Sequence, residues 1–426
     1  METTIKSTPL NSWHRSNGAN MADFGGYDMP LWYASVKDEH LAVLTAAGVF
    51  DTSHMAAVTV TGPKATDLLQ HCFTNDLDAC MGPSKKPLSP GRAVYGAFLD
   101  EKGHSIDDAI VFFMAAQNYF VVVNAGMGGA IADHLEKNRG GRDAVVLDLT
   151  DRLGKMDIQG PEAARILAPL LADPDAVFAG MPYFSFKGHY DPASPLADAV
   201  RLKDGTPILL SRTGYTGEFG FEIFLSPDKI GSLWEGLLDT GYAHGIKPCG
   251  LAARDSLRAG AVLPLSHQDI GHWPFINHPW PFALPFTADQ TGFTKDFIGR
   301  AALENPDEVL FTQAFVGKDL RKIAAGEESR VLDADGRSIG TVLTCATDMG
   351  IGRADGRIFS VASPDRPEAF KARGLCCGFL KVDRKLSPGE HVDLADSRRK
   401  ITVTITDDVR PDRTARKPFS EMIASR

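Results

Sequence analysis

The stretch SRTGYTGEFGFE, Ser211 to Glu222, and the block KPCGLAARDSLR, Lys247 to Arg258, decide how this chain is read. In the first, Gly214, Gly217 and Gly220 recur every third residue, with Tyr215 and Glu218 held between them. Glycine permits positive-φ turns and lets backbone approach a ligand closely. A tyrosine ring offers a flat face, and a carboxylate can accept two N–H donors from one edge of a heterocycle. The combination suits a grip on a flat, amide-bearing ring such as a pterin. It also suits a glycine-rich hairpin with one exposed acid.

Outward from these blocks, Val58–Phe73 (VTVTGPKATDLLQHCF) reads as a strand, a Gly-Pro turn and a helix, and Lys155–Leu171 (KMDIQGPEAARILAPLL) repeats the pattern. That echo predicts two related α+β units rather than one long sheet. Ala93–Ala125 reads as three strands, with turns at Asp100–Gly103 and near Gln117. Residues 31–50 carry a helical stripe of Val36, His40, Val43, Leu44 and Ala47. Pro182–Ala199 is polar and turn-rich and is expected to be a surface loop. Beyond residue 305 the pattern turns to short strands such as Gly374–Val382 and Lys400–Val409, which predicts a small β-barrel.

The 426 residues suffice for two or three domains, and a net charge of −9 without a basic run argues against nucleic acid as the partner. Six cysteines form no metal-like CxxC spacing, and adjacent Cys376 and Cys377 are expected on opposite faces of one strand. The N-terminus lacks the apolar core of a signal peptide, and no apolar run is long enough for a membrane span. A cytoplasmic protein with no membrane association is expected.

YTGE followed by PCGLAARDSLR resembles the paired signature of the glycine-cleavage T-protein family, the folate-dependent aminomethyltransferases. Collinear segments carry the same resemblance: Met21–Tyr33 (MADFGGYDMPLWY), Gly48–Met55 (GVFDTSHM), Thr74–Asp76, Leu99–Asp108 (LDEKGHSIDD), Val122–Ala125, Ile158–Pro161 and Asp296–Leu303. It implies an α+β fold, with two interleaved ferredoxin-like units in residues 1–305 and a β-barrel in 306–426, around a central folate site. Tetrahydrofolate is the implied cofactor. The implied catalytic residue is Asp107, the first acid of the IDD pair, beside the reactive nitrogens of the folate. Neighbours on a strand face opposite ways, so at most one of Asp107 and Asp108 can face a given pocket, and both could instead be solvated turn acids. Met55, Tyr95, Asn124, Tyr215, Glu218 and Arg254 form the expected folate pocket. In it Glu218 accepts the ring N–H groups, Tyr215 and Met55 pack on the ring faces, and Asn124 bonds its edge. Arg254 pairs with the folate tail or buttresses Asp255.

Two features depart from the family pattern. Gly260 stands where the family carries an acid, and Trp273 to Phe282 is dense in rings and prolines. Trp273 and Trp280 either pack in the core or form a substrate-side wall, where an aromatic face attracts a methylated cation by about 0.5–2 kcal/mol. His54 reads as a structural histidine, and His267, His272 and His278 lack the carboxylate arrangement of a metal site. The expected function is tetrahydrofolate-dependent one-carbon transfer, taking an aminomethyl or methyl group from a small-molecule donor or a lipoylated carrier protein. One alternative is demethylation of a small methylated amine, sulfonium or methoxy compound. The other is folate binding without catalysis.

Overall fold

The computed structural model describes residues 5–306 and 308–424. Two sheets and a barrel organise them. The first sheet has five antiparallel strands in the order Arg92–Leu99, Ser105–Ala115, Asn118–Val123, Ala56–Thr61 and Val145–Asp148. The second has six, ordered Phe186–Gly188, Leu209–Ser211, Gly220–Leu225, Gly154–Gln159, Gly48–Asp51 and Lys247–Pro248. Gly48–Asp51 pairs directly with Gly154–Gln159, so the whole first sheet is inserted between two neighbouring strands of the second. The units are interleaved, as the family resemblance implies, and the repeated strand–turn–helix pattern marks the two of them.

The two copies of that pattern share a turn that needs glycine. Ala56–Thr61 leads through Gly62 (φ 109°) to the helix Ala65–Cys72, and Gly154–Gln159 leads through Gly160 (φ 128°) to Ala163–Leu167. A Cβ on Gly160 would sit 2.6 Å from the Ala46 carbonyl oxygen, and one on Gly62 would sit 2.9 Å from that of Asp143. Neither backbone oxygen can move aside cheaply.

Strand alternation then assigns the faces. Val58, Val111 and Val121 pack under the helices that carry Leu68, Leu69, Ile131 and Leu135. Met156, Ile158 and Ile223 pack under those that carry Ile166, Leu167, Trp234 and Leu237. The opposite faces meet each other through Phe112 and Phe186, with ring centroids 5.2 Å apart, and through Phe120 and Phe224 at 5.6 Å. Burying each such side chain is worth about 1.5–3 kcal/mol. Phe186 also corrects the loop expected at Pro182–Ala199. It is buried between the sheets and carries the edge strand Phe186–Gly188, whose three residues are too few to show alternation in sequence.

The strands Phe311–Gly317, Leu375–Val382, Ser338–Asp348, Gly326–Leu332, His391–Ala395 and Lys400–Ile405 close the barrel. Cys376 joins its inner core, whereas Cys377 joins the cluster where Ala259 of the helix Leu251–Gly260 meets Ala314 and Ala346. Both thiols are free. Among the described residues, no helix is long and apolar enough to cross a membrane.

After the last barrel strand the chain returns to the second sheet, where Phe419 packs 4.9 Å from Phe178 and 5.2 Å from Phe219. Arg410 anchors this return. Fully buried, it donates through Nη1 to Asp348 Oδ2 (2.5 Å), through Nε to Glu218 Oε1 (3.1 Å) and through Nη2 to the Thr216 carbonyl. Asp348 also faces His40 Nε2 at 2.9 Å. The departure at Gly260 has its cause here, because a Cβ at that position would lie 1.9 Å from Asp348 Oδ2. A side chain at this position would collide with the barrel's Asp348, so packing between barrel and helix favours glycine there.

Removing one partner from a buried ion cluster leaves an uncompensated charge, which costs about 3–5 kcal/mol. Arg410→Ala should therefore lose about that much stability in urea titrations. A loss within about 0.5 kcal/mol, typical of an exposed site, would contradict this role.

Candidate active site

A large cavity of about 1710 Å³ lies where both sheets, the helix Leu251–Gly260, the segment that follows it and the barrel converge. Of the residues singled out from sequence, Met55, Tyr95, Asn124, Tyr215, Arg254 and Trp280 line it. Asp107, Glu218 and Trp273 do not line it.

The pleat of Ser105–Ala115 separates the two acids. Asp107 is fully buried, and its carboxylate accepts from Asn124 N (2.9 Å), Asn124 Nδ2 (2.7 Å) and Ser266 Oγ (3.0 Å). Asp108 is the acid on the cavity wall. It accepts from Tyr95 Oη at 2.8 Å and from Asn124 Nδ2 at 2.6 Å. Asn124 thus donates to both carboxylates through one amide nitrogen. Burial first, and then the neighbouring Asp107 charge, push the Asp108 carboxyl up to about 6. A carboxyl in that range can hold or release a proton near neutral pH.

Glu218 likewise lies outside the cavity lining. Its carboxylate accepts from Arg410 Nε, Thr414 Oγ1 (2.6 Å) and Thr414 N (3.3 Å), which fixes the barrel's tail. The acid that reaches the cavity is Glu222, four residues on, in the strand Gly220–Leu225. Lys155 Nζ, itself buried, lies 2.5 Å from Glu222 Oε1 and 2.8 Å from Asp157 Oδ1. Arg254 Nη1 donates to Asp157 Oδ2 at 2.7 Å, so its partner is Asp157 and not Asp255. Burial raises the Asp157 carboxyl, but Lys155 and Arg254 pull it down to about 2. Two cations and two carboxylates therefore balance under this wall, with Glu222 at the surface of the set.

The aromatic segment divides. Trp273 is buried and stacks on His278 with centroids 5.1 Å apart, so it belongs to the packing. Trp280 lines the cavity, donates Nε1 to the Val262 carbonyl (3.2 Å) and meets Tyr95 edge-on at 4.6 Å. Tyr215 donates to the Pro264 carbonyl (2.6 Å), and the Arg254 guanidinium lies 5.3 Å from its ring centre. His54 also lines the cavity, buried and with Nδ1 unpartnered among the described residues. Burial pushes its imidazole down to about 4, so it is neutral at physiological pH. No group of three His, Cys, Asp or Glu among the described residues could hold a metal ion.

Sequence reasoning passed over Glu222, Lys155 and Asp157, yet a signal was present. Lys155, Asp157 and Gln159 alternate along a core strand, and Glu222 is the one charge in the apolar run GFEIFL opposite Asp157. Polar residues at period two in a buried strand mark a polar face.

Comparison with known proteins agrees with this architecture. The family model of the GCVT N-terminal domain matches residues 10–273. An aminomethyltransferase of Streptomyces coelicolor is 38% identical over 311 residues, covering 72% of this chain and 75% of that protein. One from Symbiobacterium thermophilum is 36% identical over 347 residues, covering 81% and 86%. The crystal structure of the glycine cleavage system aminomethyltransferase T from Bartonella henselae superposes with a TM-score of 0.72 at 28% identity, covering 94% of this chain and 97% of that one.

The raised Asp108 carboxyl has a stability consequence with a definite sign. Its folded value near 6 exceeds the unfolded 3.8, so folding is unpenalised below about pH 4 and loses stability as pH rises through 6. Asp108→Asn should therefore stabilise the protein by about 1–3 kcal/mol above pH 6.5. That gain should vanish below pH 4. Denaturant titrations of both proteins across pH check it, and a gain that is flat with pH would contradict it.

Proposed function

The chain belongs to the glycine-cleavage T-protein family, and from that premise we propose a division of labour among the cavity residues. The protein is a tetrahydrofolate-dependent aminomethyltransferase of the T-protein kind. Tetrahydrofolate supplies the nucleophilic nitrogens that accept the one-carbon unit.

The residues present fit such a cofactor. Glu222 and Asp108 offer carboxylates to a ring that bears N–H donors, and His54 adds an unpartnered buried nitrogen to the same cavity. At about 1710 Å³ the cavity exceeds the roughly 300–1,000 Å³ of a small-ligand site, which leaves room for a donor beside the cofactor. In this reading Glu222 accepts the pterin N–H groups and is oriented by Lys155. Tyr215 and Met55 pack on the ring, while Arg254, anchored by Asp157, supplies positive charge. Asp108 takes up a proton at its carboxylate as the transfer proceeds, and Tyr95 and Asn124 fix its orientation. Asp107, behind it, positions Asn124. Trp280 forms the donor's side of the wall.

The observation that carries this reading is Asp108, an acid on the cavity wall with a carboxyl poised near 6. The proposed donor is the aminomethyl group of a lipoylated carrier protein, and Phe282, lining the cavity and 60% exposed, offers that carrier an apolar contact at the opening. Six free cysteines suit a reducing cytoplasm. The proposed domain boundary at 305/306 falls between the helix Arg300–Glu304 and the first barrel strand at Phe311.

Wild-type protein given tetrahydrofolate and the aminomethylated carrier should release ammonia and methylene-tetrahydrofolate in equal amounts. Asp108→Asn should keep folate affinity and lose about 10²–10⁴ in turnover. Glu222→Ala should weaken folate binding by about 1–3 kcal/mol. Undiminished turnover in Asp108→Asn, or unchanged calorimetric folate affinity in Glu222→Ala, would overturn the respective assignment.

A further inference from the structure

Below the acid pair, the chain leaving Leu251–Gly260 makes a tight loop whose geometry the expected site does not use. Asp269 is buried at its base, accepting from Leu265 N (2.9 Å), Thr344 Oγ1 (2.7 Å) and the Arg258 guanidinium. His267 N donates to the Ile270 carbonyl at 3.0 Å, and Asp269 N to that of Leu265 at 2.8 Å. These bonds over-determine the loop and hold His267 at φ 63°, a region that non-glycine residues rarely occupy. Strain of that kind persists where surrounding structure enforces it, and it gathers at functional sites.

The strained residue faces the chemistry. His267 lines the cavity with its side chain 45% exposed, and its Nε2 lies 3.3 Å from Asp107 Oδ1. Nδ1 has no hydrogen-bond partner among the described residues. Ser266, the preceding residue, donates to the same Asp107 oxygen. The arrangement is a carboxylate–imidazole pair, in which the acid faces one ring nitrogen and leaves the other for proton exchange.

We propose that His267 is a second proton-handling residue of this site, paired with Asp107 and protonating the amine that departs from the aminomethyl group. This rests on the aminomethyltransferase reading above. In that transfer the C–S and C–N bonds of the donor break and two C–N bonds to the folate form. The two protons shed by the folate nitrogens equal the two gained by sulfur and amine. Asp108 receives one of the shed protons at its carboxylate and passes it to the departing sulfur. His267 gives one from its imidazolium to the amine and is recharged by the other proton shed by the folate.

The charged groups around the ring support a protonated state. Asp107 and Asp108 face it from the strand Ser105–Ala115, and together they raise its pKa, Asp107 most strongly. Arg258, on the helix that precedes the loop, is neutralised by Asp269 and Asp255. A second proton carrier beside Asp108 also answers a chemical need, because one carboxyl cannot accept a proton and donate another in the same step.

The test uses the full-length protein. Histidine NMR, without substrate, should show His267 titrating above its ordinary value of about 6.5, and Asp107→Asn should lower that midpoint. His267→Gln should reduce kcat for the aminomethylated carrier by about 10²–10³ with folate KM within about twofold, and should lose the alkaline limb of the wild-type profile. His267→Gly, which frees the left-handed backbone, should melt no lower than wild type while losing turnover equally. A merely structural histidine would do the opposite, lowering the Tm and leaving the pH profile intact. Wild-type turnover with an unaltered His267→Gln profile, or a midpoint indifferent to Asp107→Asn, overturns this proposal alone. Wild-type protein that releases no ammonia from the carrier overturns the aminomethyltransferase reading and this proposal together.

Discussion

The buried guanidinium of Arg410 is the interaction on which the rest of the arrangement depends. Taking an arginine and two carboxylates out of water costs several kcal/mol per ion unless each charge is matched and its hydrogen bonds are filled. Asp348 comes from the barrel, Glu218 from the glycine-rich turn of the second sheet and the Leu257 carbonyl from the helix between them. Each partner belongs to a different part of the molecule, so the cluster is satisfied only when all three are docked. Docking makes the cavity, whose walls come from those same parts. The Arg410 hold on Asp348 and His40 also keeps the Asp348 carboxyl well below the usual range, although burial alone would raise it.

Inside the cavity the governing constraint is the pleat. Two successive acids on one strand are separated by alternation into different environments, and Asn124 then binds both. Asp107 is surrounded by the donors Asn124 and Ser266. Asp108, on the wall and next to it, is left reluctant to ionise. In the proposed division of labour one short sequence, IDD, supplies both a positioning acid and a proton-exchanging acid.

Much of this was legible in the sequence, and the rest was hidden for identifiable reasons. The strand–glycine–helix echo at Gly62 and Gly160 revealed the two units, because the same steric demand recurs at both turns. The three strands of Ala93–Ala125 and the barrel beyond residue 305 were likewise readable from alternation and turn residues. The choice between Asp107 and Asp108 was not readable, since alternation says that the two differ but not which face meets the cavity. Glu218 drew attention as the conspicuous acid of YTGE, yet its partner Arg410 lies 192 residues away. A contact of that separation leaves no local trace. Glu222 was the quieter signal, one charge in an apolar strand, matched across the register by Asp157. Trp273 and Trp280 looked alike in sequence. Only the packing of His278 on one and the opening beside the other separate them.

The central claim is that Asp108 and Glu222, not Asp107 and Glu218, meet the cofactor. A crystal structure of the protein soaked with a stable reduced folate would test it most directly. The account predicts a pterin whose N–H edge lies within hydrogen-bond reach of the Glu222 carboxylate, with its reactive nitrogens beside Asp108. It also predicts an Arg410–Glu218 pair that does not move. A pterin held by Glu218, with Arg410 displaced, or reactive nitrogens turned away from Asp108, would contradict it.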